Sequence, residues 1–212
     1  APAVSIIPVK VLSDSGSGSS VGVANGIRWA TDNGADIISM SLGGGYSSTI
    51  AVQVAYAIQN GVTVIAAAGN ERAQGSPASY PAALPGVLAV AATDSNNNVA
   101  NFSNAGSYVD ISAPGVGIWS TLPNNTYAAW SGTSMATPHV SAVAALVLSR
   151  AAEQHVAVSV DMLLTGSATD LGVAGRDNEH GAGPVDPRAA LAAGWGPPES
   201  APGAPPRGSS PP

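Results

Sequence analysis

Residues 36–68 run DIISMSLGGGYSSTIAVQVAYAIQNGVTVIAAA, and they hold one complete strand–helix–strand unit. Asp36 to Leu42 predicts a strand, which Gly43-Gly44-Gly45 breaks. Ser47 or Ser48 caps a helix that places Ile50, Val54, Ala57 and Ile58 on one face. Asn60-Gly61 supplies its C-terminal signal. Val62 to Ala68 predicts the second strand of the unit. It is apolar throughout, as a parallel strand buried on both faces requires.

The same alternation continues on either side. Upstream, Val4 to Leu12 is apolar and rich in β-branched residues, which predicts a strand. A Ser/Gly turn over Asp14 to Gly18 follows. Ser19 or Ser20 then caps a helix reaching about Asn33, with Val23, Ile27 and Ala30 on one face and Gly34 as its stop. Downstream, Val87 to Ala92 and Val109 to Ala113 predict short strands. Ser134 to Arg150 predicts a long apolar helix, in which Pro138 is tolerable only near the first turn. Shorter helices are predicted over Ser159 to Leu164 and Pro187 to Ala193. Alternation with short connections implies an α/β layered fold around a mainly parallel sheet. From about Trp195 the sequence turns to Pro, Gly, Ser and Ala. Residues 1–194 therefore read as one domain and 195–212 as a tail or linker.

Composition narrows the function classes. Of 212 residues, 45% are hydrophobic and only 9% charged, too apolar a chain for charge-driven disorder. The net charge of -6, without a basic run, argues against a nucleic-acid partner. No apolar run reaches the roughly 18 residues that span a bilayer. The absence of cysteine excludes a disulfide framework, a thiolate metal site and a cysteine nucleophile. Ala1-Pro2-Ala3 does not read as a signal peptide.

Chemistry concentrates in Gly132-Thr133-Ser134-Met135-Ala136-Thr137-Pro138-His139. A serine follows a tight Gly-Thr turn and opens an apolar helix. At a helix N-terminus, free N–H groups and the helix dipole favour developing negative charge, which suits a nucleophile whose attack creates an oxyanion. Thr133 and Ser134 are also ordinary capping residues, the alternative reading of the segment alone. It is not the G-x-S-x-G elbow of α/β-hydrolases, because Ala136 stands in place of the second glycine.

This segment resembles the serine motif of the subtilisin-like serine peptidase family. Ala66-Ala67-Ala68-Gly69-Asn70-Glu71 resembles the family's oxyanion-asparagine segment. Ser41-Leu42-Gly43-Gly44 resembles its substrate-binding strand end. Ser79-Tyr80-Pro81 and Ala113-Pro114-Gly115 also agree in order and spacing, and the resemblance covers Ala1 to about Leu191. It implies a three-layer subtilisin-like sheet whose N-terminal strands are absent here. It implies a secreted endopeptidase acting on polypeptides through an acyl-enzyme, with Ser134 as nucleophile and Asn70 as oxyanion donor. Ser41, Leu42, Gly43, Gly44, Ala67, Ala68 and Gly69 would form the substrate site, with Glu71 near its rim favouring basic side chains. No cofactor is implied. Carbonyls of Ala82 and Leu84 with Asp110 would form a weak structural site for calcium or a monovalent cation. Asp94-Ser95-Asn96-Asn97-Asn98 begins like a calcium loop, but Val99 and Ala105 break the pattern and leave a polar turn.

A serine needs a base, and the base needs an orienting acid. The family's His-Gly-Thr block is not found in this chain, and no Asp-Thr/Ser-Gly block stands at the family's position. Asp14-Ser15-Gly16 stands at the wrong family position. His139 points to another face of its helix than Ser134. His155 and His180 resemble nothing catalytic. By resemblance, the aspartate strand lies between Val4–Leu12 and Asp36–Leu42. The expectation is a chain inactive and poorly folded by itself, with the missing N-terminal segment or a propeptide as a partner. A peptide-binding relative or truncated pseudo-enzyme is the alternative.

Overall fold

The computed structural model describes residues 1–193. The tail expected from Trp195 lies outside the described residues. Four strands form a parallel sheet in the order β1-β2-β3-β4, comprising Ile37–Met40, Thr63–Ala67, Val87–Thr93 and Ile111–Pro114. The register sets Ile38 beside Val64, Ala66 beside Ala89, and Val90 beside Ile111.

Helices α1 (Ser20–Asp32) and α2 (Ser48–Gln59) begin where the serines predict. Ser19 Oγ accepts the Gly22 N–H at 3.0 Å, and Ser47 Oγ accepts the Ile50 N–H. Gly61 follows α2 with φ +82°, a conformation that glycine adopts without steric cost. The long helix α3 spans Thr133–Glu153, and α4 (Val160–Gly166) and α5 (Pro187–Ala192) match the shorter predictions.

The strands alternate between two cores. Ile38, Met40, Val64, Ala66 and Ala89 pack with α1 and α2 on one face. Ile65, Val90, Ala92 and Ile111 pack with Ala136, Val140 and Val147 of α3 on the other. Helices thus cover both faces, which is why β2 and β3 are apolar at every position except their terminal threonines, Thr63 and Thr93. This is a three-layer α/β arrangement, and it carries the N-terminus of α3 to the ends of the strands.

Two regions differ from expectation. Val4–Leu12 is not a strand. Val9 and Val11 pack against the α1–α2 core, and Val11 lies so close to α1 that a Cβ on Gly26 would sit 2.3 Å from its Cγ1. The segment has no strand to pair with, because a groove of about 1090 Å³ separates it from β1. That groove is lined by Val9 and Val11, by Ile27 of α1, by Ile37 of β1 and by Leu148 and Ala152 of α3. The second difference is an antiparallel hairpin, β5 (Ile118–Leu122) and β6 (Thr126–Trp130), immediately before α3. Its connection contains Asn124 and Asn125 at φ +62° and +57°, where asparagine is among the best tolerated residues.

Candidate active site

Ser134 is the second residue of α3. The helix N-cap is Gly132, which has no side chain with which to cap the helix. Thr133 and Ser134 are therefore free for other work. Pro138 lacks the N–H that would bond the Ser134 carbonyl. Ser41 Oγ donates to that carbonyl instead at 2.7 Å, and Ser134 Oγ donates back to the Ser41 carbonyl at 3.3 Å. The helix start is thus latched to the end of the β1 segment.

Asn70 follows β2 and faces the same point. Its Oδ1 accepts the Thr133 N–H at 2.9 Å and the Thr133 hydroxyl at 3.0 Å. Thr133 is fully buried, and its Oγ1 also accepts the Gly69 N–H at 3.2 Å. With Oδ1 doubly occupied, the Asn70 NH₂ group is left for the cleft. A cleft of about 640 Å³ brings Ser41, Asn70 and Ser134 together with Ala129, Trp130 and Met135. The Ser134 N–H belongs to the first helical turn, which offers it no intrahelical acceptor. One side-chain amide and one backbone amide are thus available beside the serine hydroxyl.

The other expected substrate residues do not line this cleft, although Gly43, Gly44 and Glu71 are exposed. Gly44 pairs with Tyr80 through two backbone hydrogen bonds of 2.9 Å. Gly43 is held so close to Ser79 that a Cβ would lie 2.4 Å from Ser79 Oγ. Leu42 packs on the α1–α2 core, Ala67 and Ala68 are buried, and the Ala68 carbonyl accepts the Tyr108 hydroxyl at 2.7 Å. Glu71 Oε2 accepts the Asn70 N–H at 2.8 Å.

Two of the three histidines bond backbone carbonyls elsewhere. His139 Nδ1 bonds the Met135 carbonyl at 2.8 Å, and His180 Nε2 bonds the Asn97 carbonyl at 3.2 Å. His155 follows α3 at φ +55° and is exposed. No imidazole is hydrogen-bonded to Ser134 among the described residues.

Ala82 and Leu84 are buried as a carbonyl site would need, but Asp110 does not suit a cation. Its Oδ1 accepts Arg176 Nη2 at 2.6 Å and its Oδ2 accepts the Ala89 N–H at 2.8 Å. A guanidinium already supplies the positive charge. Burial pushes the Asp110 carboxyl above its ordinary value, against the pull of the Ala89 N–H and Arg176. The Asp94 segment is a turn in which Asp94 Oδ1 accepts the N–H groups of Asn96 and Asn98.

Sequence reasoning missed three parts of the site. Thr133 as the anchor of Asn70 was visible only as a motif residue. Ala129 and Trp130 belong to the unpredicted hairpin, whose nearest signal was the Pro123-Asn124-Asn125 turn between two β-branched and aromatic runs. Asn104, fully buried and bonded to Glu71, carries no signal in the sequence.

A parallel three-layer sheet that sets a helix-opening serine against a tethered asparagine defines the subtilisin-like class of α/β serine-peptidase folds. The chain belongs to the Subtilase family, whose profile matches residues 1–183. Subtilisin DY of Bacillus licheniformis is 49% identical over 177 residues, covering 81% of this chain and 64% of its own length. Alkaline elastase YaB of Bacillus sp. strain YaB is 46% identical, covering 90% of this chain and 49% of itself. The chain thus spans less than two thirds of these relatives. Among solved structures, a lanthipeptide protease superposes with a TM-score of 0.81 at 28% identity, over 90% of this chain and 70% of that one. The self-cleaved protease domain of PatA gives 0.73 at 36% identity, over 82% and 67%.

Proposed function

We propose that this chain is the nucleophile-bearing part of a serine endopeptidase. Ser134 Oγ attacks the scissile carbonyl carbon of an extended polypeptide. The new oxyanion receives the Asn70 Nδ2–H and the Ser134 N–H. The C–N bond then breaks, the amine leaves with the proton taken from Oγ, and water hydrolyses the resulting ester. Donors of this kind act because they are oriented before charge develops, and one of them is worth about 2.7–4 kcal/mol in the barrier. The observation that carries the reading is the double hydrogen bond from Thr133 to Asn70 Oδ1, which commits the Asn70 NH₂ to the Ser134 side.

The proton must pass to a base outside the described residues. The groove beside β1 suits the additional strand expected there, since among the described residues β1 pairs only with β2 and its outer edge faces the groove. Such a strand would bring the acid, and a neighbouring segment the base. The backbone of Ser41 to Gly43 would pair with substrate ahead of the scissile bond, with Gly44, which has open space beside it, leaving room for a side chain. Family resemblance alone supports an activity outside the cell. Among the described residues no helix is long and apolar enough to cross a membrane.

A second reading is peptide binding without cleavage, favoured by the hydrogen bond of Ser134 Oγ to a carbonyl rather than to an imidazole. Fluorophosphonate labelling separates the two. The protein as its source makes it should be labelled at Ser134, and Ser134→Ala should lose both label and peptidase activity. Stoichiometric binding of a polypeptide with neither label nor cleavage would favour the second reading.

A further inference from the structure

Three consecutive amides precede the cleft, and each donates to a side chain. The Gly69 N–H reaches Thr133 Oγ1, the Asn70 N–H reaches Glu71 Oε2, and the Glu71 N–H reaches Asn104 Oδ1 at 2.7 Å. Asn104 closes the set. Its Nδ2 donates to the same Glu71 Oε2 at 3.1 Å and to the Pro77 carbonyl at 3.1 Å. Its own N–H donates to the Gly69 carbonyl at 2.9 Å. Asn104 is fully buried, so its own amide finds no water as a substitute, whereas Asn70 and Glu71 lie at the surface. Gly69, at φ +106°, leaves the space the network fills, because a Cβ there would lie 2.4 Å from Asn104 Nδ2 and 2.6 Å from Glu71 Oε2.

We propose that Glu71 and Asn104 form a positioning couple that holds the Asn70 backbone in register with Ser134, so that Glu71 serves the oxyanion donor rather than selecting basic substrate side chains. The inference rests on the endopeptidase reading. Its logic is geometric. The Thr133 bonds fix the far end of the Asn70 amide, but they leave the backbone free to shift. The carboxylate oxygen captures the Asn70 N–H directly, and Asn104 holds that oxygen and the next amide together. Displacing a catalytic donor by about 1 Å costs on the order of a hundredfold in rate.

The test uses the protein as its source makes it, with kcat expressed per site titrated by fluorophosphonate so that unfolded protein is not counted. Glu71→Ala and Asn104→Ala should each lower kcat by about ten- to a hundredfold with KM nearly constant, equally for substrates with lysine or leucine before the scissile bond. Glu71→Gln, which keeps an oxygen acceptor for the Asn70 N–H, should recover most of that loss on both substrates. A selective loss on the lysine substrate in both Glu71→Gln and Glu71→Ala, with leucine turnover intact, would overturn the proposal and make Glu71 a rim selector. Unchanged kcat in Asn104→Ala would overturn it as well. Activity that survives Ser134→Ala would instead sink the endopeptidase reading on which it rests.

Discussion

The groove between Val11 and β1 is the largest departure of this fold from a closed sheet, and filling it should stabilise the chain measurably. β1 offers four residues, Ile37–Met40, whose outer backbone edge faces a cavity of about 1090 Å³. An extended apolar strand entering beside β1 would make about one backbone hydrogen bond per residue, each worth roughly 0.5–1.5 kcal/mol net. Each aliphatic side chain it buried against Leu148 or Ile27 would add about 1.5–3 kcal/mol. Ordering such a peptide costs about 1–2 kcal/mol per residue, so the net affinity in trans is modest. Linkage then sets the observable. At a peptide concentration a hundred times Kd, the folded state gains about 2.7 kcal/mol. For a domain of this size, each kcal/mol moves Tm by about 2–4 °C, so the midpoint should rise by about 5–11 °C. The assay is thermal unfolding of the 212-residue chain with a Val/Ile/Ala nonapeptide. A twin with proline at its centre, which cannot complete the ladder, is the control. Without peptide the transition should be broad and low. Leu148→Asp, which puts a charge in the groove, should abolish the shift. A sharp transition near 60 °C without peptide, or equal shifts from both peptides, would refute the reasoning.

Further perturbations probe single contacts. Thr133→Val keeps the shape but strands the Gly69 N–H and removes one donor from Asn70 Oδ1; urea unfolding should show a loss of about 1–3 kcal/mol. Gly115→Ala places a Cβ 2.6 Å from Ala92 Cβ and 2.8 Å from the Gly132 carbonyl, and the overpacking should cost about 1–3 kcal/mol by the same measurement. Asp177 gives a pH signature. Burial pushes its carboxyl up, but the N–H groups of His180, Glu179 and Val173 together with the charge of His180 outweigh it and hold the carboxyl below its ordinary value of 3.8. The ionised form therefore stabilises the fold above that value, and the benefit is lost as pH falls through the lowered folded one. Asp177→Asn should be less stable than the parent at neutral pH, with the gap closing below about pH 4 in a series of denaturant titrations. Arg176→Met leaves Asp110, 17% exposed, without its cation. Stability should drop by about 1–3 kcal/mol, short of a fully buried pair because Arg176 is half exposed, and millimolar calcium should raise Tm only in this variant.

Most elements were legible because their signals are local. Serine caps, glycine stops and β-branched runs fixed α1, α2 and β1–β4 to within a residue or two. Val4–Leu12 shows the boundary of that logic. Its composition is that of a strand, and its extended valines do pack on α1. Yet a strand is a pairing, and pairing belongs to the neighbour as much as to the segment. The hairpin failed for a different reason. Ile118 to Leu122 is mostly exposed, so no apolar alternation announces it, and its turn depends on two asparagines in the left-handed region rather than on Asn-Gly.

The site divides along the same line. Ser134 and Asn70 stand out in the sequence because each sits in a contiguous motif, and each motif brings its backbone geometry with it. What holds them in register is not contiguous. Thr133 meets Asn70 across 63 positions, and Asn104 meets Glu71 across 33. Asn104 sits in Phe102-Ser103-Asn104-Ala105-Gly106, which in sequence is an ordinary polar loop. Only the fold shows that the side chain is buried and fully used. A buried amide surrounded by committed partners tolerates few replacements, whereas a loop asparagine tolerates many. The sequence therefore names the groups proposed to touch substrate more readily than those proposed to aim them, and Glu71 stands between the two. Read by position it faces substrate; read by its hydrogen bonds it faces Asn70.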